Sequence, residues 1–404
     1  MNRNRVNKKR MGRARVLSRA AAGMLAAALC FQPMTALAGP AGDSSLTSSS
    51  SNAGPGGGSG SSNSGSTGSS GGSTSVSNGS VSAVTSGLGV YRVTENEGIG
   101  AIARGVDVSY WQQNVNWSQV ASDNVQFAML ATRFRGNVDP FFAMNAANAS
   151  QAGLRLGAYI YSYATSVEMA QQEADFVLNL IKDYPISFPV VFDAEDANTL
   201  GTLTQSQVSD VINAFCKRIQ DAGYYPMVYA NEYWIANKID MSKISYDIWV
   251  AKYQQKYTYS KTSMWQASNT GSVKGVNGNV DIDYLYKDYT QIIPGNTWRT
   301  IAGNRYYYQN YVMQKAAWIN DGQNWYYMNA AGNPSTGWLE LSGKKYYLEA
   351  DGHMITGWKT LDGGWRYFDA SGEQATGWRA VDGSWYFMAD NGLMQTGWLE
   401  TGGK

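Results

Sequence analysis

Three apolar segments of the chain close on acids. "FPVVFDAED" (188–196) ends in Asp193, Glu195 and Asp196, "GVDVSYW" (105–111) carries Asp107, and "VDIDY" (280–284) carries Asp281 and Asp283. Residues two apart on a strand share a face. Asp193 and Glu195 therefore project together while Asp196 faces away or enters the loop, Asp107 shares its side with Ser109, and Asp281 pairs with Asp283. Only 16% of the chain is charged, and burying unpaired carboxylates is costly, so strand-end acids on three distant segments read as one site. On spacing alone the arrangement suits a carboxylate-based hydrolase, in which one group donates a proton and a second attacks or activates. A divalent cation site is the competing use of the same acids. The single histidine, His353, lies far in sequence from any nucleophile. Ser-His-Asp triads, Cys-His pairs and most catalytic zinc sites need a histidine beside the reactive group. Carboxylates are thus the expected catalysts, with no cofactor and no metal.

The acids must be positioned by strands. Strand-like segments occur at 105–111, 125–134, 155–164, 188–195, 225–231, 246–253, 262–268 and 280–286. Thr165 and Glu168 form a capping-box pattern opening a helix through Tyr184. Thr204 and Gln207 open another, which carries Val208, Val211, Ile212, Phe215, Ile219 and Ala222 on one face and stops at Gly223. Alternation of this kind gives βαβ units, and eight strands suggest a closed barrel in which the first and last are neighbours. The spacers 254–261 and 269–279 are too short for crossover helices. The expected fold class is α/β, an irregular TIM-like (β/α)5(β)3 barrel over 101–290 with hairpin-like strands as its last three.

Residues 1–19 hold eight Lys or Arg and no acid, residues 20–31 are an apolar run, and "ALA" at 36–38 precedes Gly39, so residues 1–38 read as a secretory signal peptide. The run is too short to span a bilayer, and no membrane association is expected after cleavage. Removing those eight cations leaves 24 against 31 acids, about −7, a poor match for nucleic acid. Cys30 lies in the signal, and Cys216 alone cannot form an internal disulfide. Residues 39–100 are dominated by Ser, Gly, Asn and Thr and read as a disordered linker.

From 298 to 404 the chain is aromatic and Gly-rich with a period of 20: Trp338, Trp358, Trp378 and Trp398 all follow Thr-Gly. Each unit reads as a β-hairpin formed by an aromatic strand, an "ADG", "ASG" or "DNG" turn, and the strand carrying Gly-Trp. The expectation is an all-β solenoid of aromatic hairpins, with some rings in its core and others lining shallow sites for a sugar or a quaternary ammonium. The sequence breaks off part-way through a unit, which suggests truncation or an incomplete last hairpin.

"RGVDVSYWQ", "VDPFFAMNAANASQAGLRLGAYIYSYA", "FPVVFDAED", "YPMVYAN", "DIWVAKY", "SMWQAS" and "VDIDY", in that order, resemble the motifs of glycoside hydrolase family 25, the lysozymes that cut peptidoglycan. The repeats resemble choline-binding-type cell-wall-binding repeats. The resemblance implies a secreted or wall-associated bacterial N-acetylmuramidase, cleaving the β-1,4 bond between N-acetylmuramic acid and N-acetylglucosamine. It implies Glu195 as general acid, with a pKa raised by repulsion from neighbouring aspartates. Asp193 becomes nucleophile or positioner of the substrate N-acetyl group, and Asp107 and Asp281 become supporting acids. Trp111, Tyr161, Tyr229, Trp265 and Asp283 become candidates for substrate binding. The implied partners are peptidoglycan and, through the repeat tryptophans, a choline-bearing teichoic acid or a glucan. Two steps depart from the family pattern: Ile160-Tyr161 stands where His-Phe is common, and Thr132-Arg133-Phe134 where Thr-Glu-Gly is common. A non-catalytic glycan-binding protein on a barrel scaffold is the alternative, and it predicts loss of a carboxylate that this chain retains.

Overall fold

The computed structural model describes residues 83–93, 98–253 and 255–399. The segment read as a signal peptide, and the linker as far as residue 82, lie outside the described residues. Eight strands close a barrel: β1 (Ala103–Val108), β2 (Phe127–Ala131), β3 (Arg155–Tyr161), β4 (Ile186–Asp193), β5 (Pro226–Asn231), β6 (Asp247–Ala251), β7 (Thr262–Gly271) and β8 (Val280–Leu285). Helices follow the first five strands only: α1 (Trp117–Ser122), α2 (Phe142–Gln151), α3 (Val167–Ile181), α4 (Gln205–Asp221) and α5 (Glu232–Asn237).

Strand parity sorts the side chains into two apolar layers. Ala103, Phe127, Met129, Val191, Met227, Trp249, Met264 and Leu285 fill the barrel, while their strand neighbours Val106, Ala128, Phe192, Val228, Val250, Trp265 and Ile282 face outward into the helical layer. Gly105 makes room for an interior ring, since a Cβ there would meet Phe127 at 2.2 Å. Among the described residues, no helix is long and apolar enough to cross a membrane.

Four expectations need correction. β6 and β7 pair in parallel, so only β8 runs antiparallel to its neighbours. The described residues between β6 and β7 hold no helix, and a ten-residue connection can reach about 33 Å when extended, ample to return past a five-residue strand. The α3 N-cap is Ser166, whose hydroxyl accepts from the Met169 amide, and Thr165 sits one residue outside the helix. The Thr204–Gln207 capping box of α4 forms as expected, and Gly223 follows in the left-handed region at φ 86°. The end of the supposed linker is ordered: Ala83–Ser86 and Gly89–Arg92 form an antiparallel hairpin that buries the Tyr91 ring in the outer core. That one aromatic supplies the apolar anchor the Ser/Gly composition lacks.

The fourth correction is the phase of the repeats. In each hairpin the Gly-Trp strand comes first and the aromatic strand second: Gly337–Leu341 with Lys344–Leu348, Gly357–Leu361 with Gly364–Phe368, and Gly377–Val381 with Ser384–Met388. Their turns are Ser342-Gly343, Asp362-Gly363 and Asp382-Gly383, each with both residues at positive φ, as a type I′ turn requires. The "ADG", "ASG" and "DNG" stretches instead lead from one hairpin to the next, through the bridges Leu348↔Met354, Phe368↔Gln374 and Met388↔Met394.

The first hairpin, Thr297–Ile301 with Asn304–Gln309, belongs physically to the barrel. Its Arg299 guanidinium lies 3.9 Å from the Tyr224 ring centroid and 4.3 Å from that of Tyr308. The Tyr308 hydroxyl donates to the Lys182 carbonyl at 2.8 Å just beyond α3, and Lys315 pairs with Asp183 at 2.6 Å.

Candidate active site

One rim of the barrel gathers the acids. Asp107 and Asp193 sit at the C-terminal ends of β1 and β4. Because β8 runs antiparallel, its first residues reach the same rim, and Asp281 is the direct cross-strand partner of Asp107. Glu195 follows β4 by two residues and keeps the face of Asp193. The four carboxylates line a cavity of about 410 Å³ together with Trp111, Tyr161, Tyr229 and several residues of the opposite wall.

Gln266 on β7 organises the floor. Its amide nitrogen donates to Asp107 Oδ2 at 2.7 Å and Asp281 Oδ2 at 3.3 Å. Its amide oxygen accepts from the Tyr229 and Tyr253 hydroxyls, both at 2.8 Å. Two donors and two acceptors satisfy the whole amide, which fixes two carboxyls and two phenols relative to one another.

Burial pushes every one of these acids up. Desolvation is the largest cause at Asp107, reinforced by Asp281 and Asp283, and holds its carboxyl well above the usual range. At Asp193 desolvation is joined by the charge of Glu195. Glu195 is raised first by burial and then by Asp281 and Asp196, so burial outweighs the repulsion expected from sequence. Asp281 rises to about 6 through burial, with a hydrogen bond from Asp107 opposing the rise. Asp193 Oδ1 is buried and makes no hydrogen bond among the described residues. Asp196 behaves oppositely. Although burial raises it, bonds from Thr199, Tyr161 and Asn198 hold it below the usual range, and it ties the loop after β4.

Trp111 is 67% exposed and packs edge-on against Tyr110 and Phe134, forming a ring at the cavity mouth. Tyr161 donates its hydroxyl to Asp196 Oδ2 at 3.1 Å, which holds its ring along the wall. Two residues expected to bind substrate do not reach the cavity. Trp265 faces outward from β7, is 1% exposed, packs on Tyr257 and Tyr284, and donates to the Lys252 carbonyl. Asp283 lies below the floor, fully buried, where Oδ1 accepts from Trp249 Nε1 at 3.0 Å. Trp265 has the wrong parity, and Asp283 has the right parity but sits one pleat too deep.

The sequence reading missed Gln266, Tyr159, Trp249 and Tyr253, all of which line the cavity, and singled out Arg133, which also lines it, only as a departure from the family pattern. Parity against Met264 would have found Gln266. Arg133 turns away from the acids and pairs with Glu173 at 2.5 Å, while donating to the Tyr161 carbonyl. Among the described residues, no group of His, Cys, Asp and Glu has an arrangement that would hold a metal ion. His353 bonds Asp351 within the repeats.

In the repeats, Trp338, Trp378 and Trp398 are exposed and Trp358 is half-buried. A second cavity, of about 450 Å³, opens between hairpins and is lined by Trp318, Trp325, Tyr346, Met354, Ala370 and Ser371.

The family model for glycosyl hydrolases family 25 matches residues 106–276. A choline-binding repeat matches 335–376, and a putative cell wall binding repeat matches 317–333 and 376–394. The chain is 31% identical over 189 residues to the uncharacterized protein YegX of Escherichia coli K12, a match covering 44% of this chain and 68% of that one. It is 30% identical over 195 residues to Lysozyme M1 of Streptomyces globisporus, covering 44% of this chain and 66% of the relative. Among solved structures, the CTP1L endolysin is 25% identical, with 47% of this chain and 69% of that chain covered at a TM-score of 0.42.

Proposed function

Given that the chain belongs to glycosyl hydrolases family 25 and is a lysozyme-type glycoside hydrolase with cell-wall-binding repeats, we propose that it is secreted through residues 1–38 and cleaves the β-1,4 bond between N-acetylmuramic acid and N-acetylglucosamine. The observation that carries this reading is the Glu195 carboxyl. It is desolvated at the cavity wall beside Asp193 and held above the ordinary range. A carboxyl that holds its proton more tightly than an ordinary one is what a glycosidic oxygen needs from its proton donor.

We assign the other acids by the same reasoning. A nucleophilic carboxylate must be ionised, yet burial and the neighbouring Glu195 oppose ionisation of Asp193. A donor to its unpartnered Oδ1 would offset that penalty, and the acetamido N–H of the substrate sugar is such a donor. Asp193 then orients the acetamido oxygen toward the anomeric carbon while Glu195 protonates the leaving oxygen. Asp107 and Asp281, joined through Gln266, fix carboxyl oxygens at the floor, whose oriented dipoles favour the positive charge that develops on the sugar ring. Trp111 and Tyr161 supply ring faces for flanking sugars.

The repeats hold the enzyme on the wall. The cavity between Trp318 and Tyr346 offers three aromatic side chains, a thioether and only two hydroxyls, those of Tyr346 and Ser371. A quaternary ammonium has no N–H to satisfy and suits that lining, whereas a glucan needs a partner for each hydroxyl. We therefore favour a choline-bearing wall polymer. The test of the hydrolytic reading is digestion of purified peptidoglycan followed by borohydride reduction of the new ends. Reduced muramic acid is expected; reduced glucosamine, or no new ends, would refute the assignment.

A further inference from the structure

The five described hairpins meet at four junctions, and side chains at equivalent positions recur every 20 residues. Each junction is built from the Gly-Trp or equivalent tryptophan of one hairpin, the residue seven positions on at the start of that hairpin's second strand, an aromatic-strand residue of the next hairpin, and a residue after it. The second junction has Trp318, Trp325, Tyr346 and Met354, and the fourth has Trp358, Trp365, Tyr386 and Met394. Backbone bonds confirm the equivalence: Met354 N donates to the Trp325 carbonyl at 2.7 Å, Gln374 N to that of Lys345 at 2.7 Å, and Met394 N to that of Trp365 at 2.8 Å. Trp318 meets Tyr346 at 5.0 Å and 62°, and Trp358 meets Tyr386 at 4.8 Å and 73°.

The first and third junctions carry cations of the chain itself. At the third, Arg366 stands where the other junctions have Tyr326, Tyr346 or Tyr386, and its guanidinium lies 4.9 Å from the Trp338 ring centroid. It is 7% exposed and is held by the Asn391 carbonyl and by Asp362. Lys345 and Gln374 replace the tryptophan and methionine there. At the first junction Arg305 stands in place of Trp325, its guanidinium 4.2 Å from the Trp298 ring centroid, and Pro334 replaces the methionine.

We propose that alternate junctions are closed by the protein's own arginines, leaving two open aromatic cages for a quaternary ammonium, at Trp318/Trp325/Tyr346/Met354 and Trp358/Trp365/Tyr386/Met394. The cation–π face that a ligand would use is already occupied at Trp298 and Trp338. Those junctions stack without ligand, and wall engagement is bivalent, its two contacts 40 residues apart in sequence. Linked sites of this kind bind far more tightly than either alone. This inference rests on the quaternary ammonium reading of the repeats given above.

The test is equilibrium dialysis of choline against the full chain. Two molecules per chain are expected. Tyr346→Arg or Tyr386→Arg, each copying a side chain that the third junction already accommodates, should lower the number to one. Each should also weaken retention on choline-bearing wall by about 10²-fold. The triple change Lys345→Trp, Arg366→Tyr and Gln374→Met should raise the number to three. Near-ultraviolet circular dichroism of each variant checks that the stack is intact. Three or four sites in the wild type, or a number unmoved in a folded Tyr346→Arg protein, would overturn the inference and leave the ligand reading standing. No choline bound by the wild type would remove both. Co-flotation with phosphatidylcholine vesicles, in place of retention on wall, would transfer the cages from a wall polymer to a lipid headgroup and overturn the wall assignment.

Discussion

Asp281→Asn separates electrostatics from shape at the cavity floor. Asparagine keeps the size of the side chain and an oxygen to accept from Gln266, but it cannot ionise. Asp281 sits near a pKa of about 6 against an ordinary 3.8, so about two units at ~1.4 kcal/mol each give a ceiling of ~3 kcal/mol. The sign follows from linkage. A carboxyl whose folded pKa is raised contributes stability fully present below the unfolded value and lost as pH rises through the folded one. Wild type therefore loses this contribution between about pH 3.8 and 6, and the variant does not. Urea unfolding at pH 3.5 and pH 7.5 should find a variant advantage at the higher pH that exceeds the one at the lower pH by up to ~3 kcal/mol. Asp107 and Asp283 are themselves raised by Asp281, so their own losses of stability with rising pH shrink in the variant and act in the same direction. Asp281 is also the largest charge acting on Glu195, so the alkaline limb of the hydrolysis profile should move to lower pH. An advantage equal at both pH values would show that the Asp281 pKa is not raised, and an unmoved alkaline limb would show that its charge does not hold up that of Glu195.

Glu195→Gln should leave wall binding intact and lower turnover by about 10²- to 10⁴-fold, the usual contribution of a general acid; a variant with near-native turnover removes Glu195 from that role. Gln266→Leu deletes four hydrogen bonds and leaves the Tyr229 and Tyr253 hydroxyls without their acceptor. It should lower stability by about 1–3 kcal/mol, measured by urea unfolding, as well as kcat. Deleting residues 317–404 should abolish wall retention and spare soluble-substrate turnover. Deleting 297–404 should in addition lower the barrel's Tm, since it strips Tyr224 and Lys182 of Arg299 and Tyr308; equal Tm for the two truncations would contradict that.

The acids and the eight strands were legible because both rest on period two. Buried strands display their pleat in sequence, and a carboxylate that interrupts it at a strand end is conspicuous. Parity failed where it was not carried through: Trp265 was drawn into the site by its size, while its neighbour Gln266, an unremarked amide, holds the floor. Depth along a strand is invisible in the pattern, so Asp283 looked equivalent to Asp281 although one pleat separates cavity from core. The parallel pairing of β6 and β7 was hidden because chain length limits what a loop can span but does not dictate its direction. In the repeats, both Asp-Gly steps and "ADG"-type triplets announce turns. Only backbone φ, positive at both residues of Asp362-Gly363, tells the hairpin turn from the connector.

The placement of the cations argues for acid catalysis more directly than the acids alone. A cluster of carboxylates can be made tolerable by an arginine among them, which holds their pKa values down. Here Arg133 reaches the cavity but spends its charge on Glu173 and the Tyr161 carbonyl, and the amide of Gln266 takes the central position between Asp107 and Asp281. A neutral donor orients these carboxyls without supplying a positive charge to ionise them. With burial as the largest cause of the shift at each of the four, the floor favours retained protons. Gln266→Arg would replace the neutral donor with a charged one, lower the pKa of its carboxylate neighbours, and shift the hydrolysis profile toward acid; a profile left in place would mean that the protons are held by something other than this arrangement.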